Sequence, residues 1–79
     1  MTIKEFIGDE VVYDKDGQRI WAKQKDGLQV ICDIRGWGAI QNLFKDEKGS
    51  IEEEKAEKFQ DELGRWITDA INKKLKDDA

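Results

Sequence analysis

Apolar positions along the chain fall into three short runs of strand type, followed by two stretches of helical period. Val11-Val12-Tyr13, Arg19-Ile20-Trp21-Ala22 and Leu28 to Arg35 are rich in β-branched and aromatic residues. Two identical turns separate them, Lys15-Asp16-Gly17 and Lys25-Asp26-Gly27. A glycine after aspartate takes positive φ at little cost, which suits a two-residue turn or a three-residue loop closed by a bulge. Residues of about 10–35 are therefore expected to form a three-stranded antiparallel meander.

Register decides which side chains meet, because a slip of one residue sends every side chain to the other face. In the third run Leu28, Val30, Cys32 and Ile34 alternate with Gln29, Ile31, Asp33 and Arg35, and the first set reads as the buried one. A three-residue loop at Lys25-Asp26-Gly27 sets Ala22 against Val30, Ile20 against Cys32 and Arg19 against Asp33. A turn made of Asp26 and Gly27 alone would set Lys23 against Val30 and Ile20 against Asp33, mixing charge with apolar groups, so the three-residue loop is preferred. For the first hairpin, one register aligns Val12 with Ile20 and Ala22 and the other aligns Val11 and Tyr13 with them.

Beyond the strands the period lengthens. Trp37, Ile40, Leu43 and Phe44 share one helical face, predicting a short helix of about 37–45, which the polar Lys45-Asp46-Glu47-Lys48-Gly49 ends. Ala56, Phe59, Leu63, Trp66, Ile67, Ala70, Ile71 and Leu75 keep the 3.6-residue period and predict a long amphipathic helix of about 51–76. Ser50 and Glu53 have the spacing of a capping box at its start. Glu52 to Glu54 and Lys73, Lys74 and Lys76 suit the two ends of its dipole. At the N-terminus, Thr2 with Glu5 and then Gly8 predict a single helical turn that tucks Phe6 into the core, and the last four residues are expected to fray. The fold class is α+β, one domain over residues 1–79, with a three-stranded meander packed on a short helix and a long C-terminal helix.

Charged residues make up 41% of the chain and the net charge is −4, which favours solubility and argues against a basic nucleic-acid surface. Acidic mimicry of nucleic acid is disfavoured as well, since lysines interleave the carboxylates. The single cysteine cannot form an intrachain disulfide, and neither a leader sequence nor a membrane-length apolar run is apparent, so a cytoplasmic protein without membrane contact is expected.

Histidine is absent, which removes the common acid–base group of neutral pH, the common metal ligand and the base of nucleophilic triads. One Cys without His cannot make a zinc site. With Gly17 at the sixth position of a calcium loop, Val12 and Lys23 fall where ligands are required, so that segment is a turn. Asp61 with Arg65, and Asp69 with Lys73, have the i, i+4 spacing of surface ion pairs. No cofactor, metal or catalytic residue is expected.

Two surfaces remain as candidates. In the preferred register Trp21 lies opposite Ile31 on the outer side of the meander, among Arg19, Lys23 and other polar residues, resembling the core and rim of an interface. The competing expectation is that the N-terminal segment or the short helix covers that face. The second surface is the strand-to-helix turn Arg35-Gly36-Trp37-Gly38, whose free N–H groups and guanidinium suit an anion; the bare Gly-x-Gly also reads as close packing around a core Trp37. The leading expectation is a non-catalytic interaction or assembly module that binds an unidentified protein or itself through Trp21, Ile31, Arg19 and Lys23. The alternative is a small-ligand or anion-binding domain at Arg35 to Gly38.

Overall fold

The computed structural model describes residues 1–77 and has the expected α+β architecture. Its elements are α1 (Ile3–Ile7), β1 (Val11–Asp14), β2 (Arg19–Gln24), β3 (Gly27–Asp33), α2 (Gly38–Leu43) and α3 (Glu53–Asp77). The strands form one antiparallel sheet in the order β1-β2-β3. α3 lies across β1 and β2, α1 sits against β2, and α2 packs on α3.

Local sequence explains the short N-terminal helix. Thr2 Oγ1 accepts from the Glu5 N–H at 3.0 Å, and Gly8 ends the turn at φ 95°. A Cβ at Gly8 would stand 2.3 Å from the Lys23 carbonyl oxygen, so glycine is what lets α1 lie against β2. The residue delivered to the core is Ile7; Phe6, expected there, is 52% exposed, because a one-turn helix has room for only one inward residue.

Val11 and Tyr13 are the residues that align with Ala22 and Ile20, through a loop spanning residues 15–18. Positive φ falls there on Gln18 (52°) and not on Gly17. Gln18 is buried and its Nε2 donates to the Glu57 carbonyl of α3 at 2.9 Å, a tertiary bond that offsets the strained backbone.

The second hairpin departs from both expected registers. Its turn is Lys25-Asp26, with Gln24 against Gly27, Lys23 against Leu28 and Trp21 against Val30. A bulge between Ile20 and Trp21 then shifts the pairing, so Ile20 meets Cys32 and Arg19 meets Asp33 as expected. Ile31 is the extra residue. Near the turn the faces are therefore exchanged: Leu28 (51% exposed) and Val30 (42%) are on the outer face, while Gln29 shares the inner side with buried Ala22.

One apolar cluster holds the molecule together. Val11, Ile20 and Ala22 of the sheet join Ile7, Ile34, Ile40 and Leu75, with Tyr13, Ile31, Cys32, Phe44, Leu63, Ile67 and Ile71 packed against them. α2 is shorter than expected and contributes Ile40, whereas Leu43 is 71% exposed. Trp37 caps the sheet from outside the core, its Nε1 donating to the Asp33 carbonyl at 2.7 Å.

The start and the buried face of α3 both differ from the sequence expectation. Ser50 does not cap it; its backbone N–H is held by the Asp46 carboxylate at 2.9 Å in a tight loop, and Lys45 bridges to Ile51. The first helical bond therefore runs from the Ala56 N–H to the Glu52 carbonyl. The most buried row is Ala56, Gln60, Gly64, Thr68 and Leu75, with Trp66 70% exposed. Small side chains permit close approach: a Cβ on Gly64 would stand 2.2 Å from Tyr13 Cε1. Thr68 Oγ1 satisfies itself on the Gly64 carbonyl at 2.8 Å. α3 remains helical through Asp77, so fraying does not reach Lys76 and Asp77; Asp78 and Ala79 lie outside the described residues.

Candidate interaction surface

The outer face of the sheet has three rows. Antiparallel pairing places Val12, Trp21 and Val30 side by side across all three strands. On one flank lie Asp14, Arg19 and Asp33, with Arg19 Nε 3.5 Å from Asp33 Oδ2. On the other, Lys23 forms an ion pair with Glu10 and stands opposite Leu28. These pairs are solvent-exposed and contribute little to stability. Their effect is to frame an apolar row with charge.

Val12, Trp21 and Val30 stand outside the core cluster, to which α1 and α3 deliver their buried side chains on the opposite face. Trp21 is half-buried with one valine on each side. Of the four residues expected in the patch, Trp21, Arg19 and Lys23 come together on this face. Ile31 does not: the bulge turns it inward against the core, and Val30 takes its place. Leu28 and Val30 face outward against the sequence expectation, because alternation within one strand cannot reveal an inserted residue in its pairing.

The Arg35 to Gly38 turn is organised otherwise. Arg35 Nη2 donates to the Asp16 carbonyl at 2.8 Å, and its backbone N–H donates to Asp33 Oδ1 at 3.0 Å. Gly36 adopts φ 85° to make the turn. Around the cleft beside Arg35, Lys15 and Lys58 are matched by Asp16, Glu54, Glu57 and Asp61. With Arg35 that makes three cations against four carboxylates, so no cationic pocket forms. The turn leads into a helix of six residues, too short to develop an appreciable dipole.

Where α3 crosses β1, Tyr13, Asp61 and Arg65 form a small polar cluster. Arg65 Nε holds Asp61 Oδ2 at 3.2 Å, the expected i, i+4 pair, and its guanidinium lies 5.4 Å from the Tyr13 ring centroid. Asp69 and Lys73 are not paired. Burial, with the adjacent Asp61 carboxylate, pushes the Tyr13 phenol up to about 12, although its hydroxyl makes no hydrogen bond of good geometry. Burial would raise Asp61, but Arg65 and Tyr13 outweigh it and hold the carboxyl below its usual range. Burial followed by Asp33 pushes the Cys32 thiol up, and Lys23 draws Glu10 down.

The raised phenol predicts a pH dependence. A folded-state value above the unfolded one (about 10) favours the neutral form, so its contribution is complete below pH 10 and is lost as pH rises through about 12. Urea midpoints should fall over that window, and Tyr13→Phe, which removes the only tyrosine, should flatten this part of the fall. An equal fall in both proteins would contradict the assignment.

Among the described residues no group of three or more acidic or sulfur side chains is arranged to hold a metal ion, and no helix is long and apolar enough to cross a membrane. No family model, curated protein or solved structure matches this chain.

Proposed function

We propose that the chain is a non-catalytic protein-interaction module that docks through the outer face of its sheet. The observation carrying this reading is the row Val12, Trp21 and Val30, extended by Leu28, which stands apart from the core cluster and between charged flanks. Apolar residues at the centre of a patch with charges at its rim are the usual anatomy of a docking site.

Trp21→Ala tests the reading. The variant is expected to retain its circular dichroism and cooperative unfolding, losing about 1 kcal/mol or less from cross-strand contacts, while association through the sheet weakens. Loss of the fold on this substitution would make Trp21 a core residue and remove the basis for the proposal.

A further inference from the structure

The two edges of the sheet differ: one is closed and the other is open to an occupant. On β1, both the N–H and the C=O of Val11 are taken by the side-chain amide of Asn72, at 2.7 and 2.9 Å. On β3, the alternation of the antiparallel ladder directs the N–H and C=O groups of Leu28 and Val30 away from β2, and none of the described residues bonds them. Leu28, Gln29, Val30, Ile31 and Cys32 are uncharged, and the strand carries neither the lysine nor the proline that normally protects an edge. Since α3 crosses β1 and β2, Gln29 is exposed even on the inner side.

We infer that the occupant is a second copy of the chain, pairing β3 with β3 antiparallel about a two-fold axis through Gln29. The pairing uses the open edge of the sheet and leaves its outer face uncovered, so it goes beyond the docking-face reading and does not depend on it. A two-fold pairing must be self-complementary. With the axis at Gln29, Leu28 pairs with Val30 of the other copy twice over, so that all four outward N–H groups find carbonyls. The outer row then runs Val12, Trp21, Val30 and the second copy's Leu28. The two Gln29 side chains meet on the inner side. An axis at Val30 would set Leu28 against Cys32, whose backbone faces β2 after the bulge. An axis at Leu28 would oppose Val30 to Asp26. The hydrogen-bonding pattern of the edge selects the Gln29 axis.

Cysteine cross-linking reads the register directly. Residues facing each other in a non-hydrogen-bonded antiparallel pair have Cα atoms about 4.5 Å apart, within the range a disulfide spans. In a Cys32→Ala background, Gln29→Cys should form a covalent dimer under mild oxidation, whereas Lys48→Cys, on the remote loop, should not. Val30→Lys should weaken association at least about tenfold in sedimentation while leaving the unfolding midpoint nearly unchanged, because Val30 is outside the core. A wild-type protein that remains monomeric at several hundred micromolar, with Gln29→Cys no more cross-linked than Lys48→Cys, would overturn the self-pairing. With Trp21→Ala still folded, that result would remove the edge pairing and leave the docking-face reading standing.

Discussion

Replacing Asn72 by alanine is expected to destabilise the protein by about 2–4 kcal/mol, among the largest effects available to a single polar side chain here. Asn72 donates to and accepts from the same backbone residue, so its loss strands two polar groups of Val11, a residue 1% exposed. An unsatisfied buried backbone group costs about 1–3 kcal/mol, and some water will reach the site because Asn72 is itself only half-buried. A domain of this size has roughly 4–12 kcal/mol of stability in all, so the variant forfeits a large part of it. The urea midpoint should fall with an unchanged slope, and the Val11 amide should lose exchange protection before those of Ile20 and Ala22. A midpoint close to wild type would mean that α3 is not fastened to β1 through this contact.

The other large effect is expected at Gly64, where two principles oppose each other. In an exposed helix Gly→Ala stabilises by about 1 kcal/mol. Here the added methyl would stand 2.2 Å from Tyr13 Cε1 and 2.8 Å from two more ring atoms, so the ring or the whole of α3 has to move. Overpacking costs about 1–3 kcal/mol, and a clash with three ring atoms belongs at the upper end, so about 2 kcal/mol remains after the helix propensity and the unfolding midpoint falls by roughly 8–16 °C. Tyr13→Ala should convert the same Gly64→Ala change from harmful to neutral or favourable. If the two substitutions are additive in a double-mutant cycle, the close approach of ring and helix is not the reason for the glycine.

Much of the fold was legible in the sequence because it rests on local chemistry. Thr2 with Glu5 and Gly8 announced α1; the paired Lys-Asp-Gly segments announced two hairpins; the 3.6-residue period announced α3. Trp21, Arg19 and Lys23 were assigned to the outer face because alternation along the central strand is uninterrupted. The errors share a different origin. Ser50 matched a capping box, yet the Asp46 loop holds it and delays the helix. Trp66 matched the apolar stripe, yet α3 rotates so that Gly64 and Thr68 face the sheet and Trp66 faces solvent.

By itself, the sequence determined which segments are strands and helices, roughly where the chain turns, and that histidine chemistry is absent. These properties depend on backbone preference and on neighbours within a few residues. Only the tertiary structure decided that Ile31 is an inserted residue, that Leu28 and Val30 look outward, and that one sheet edge is closed by Asn72 while the other is open. The register of two strands and the approach of a helix are set by contacts between residues far apart in the chain. Ile31 goes inward because the core offers it apolar neighbours, and a strand takes up the misfit with a bulge at less cost than leaving Ile31 and Ile34 in water.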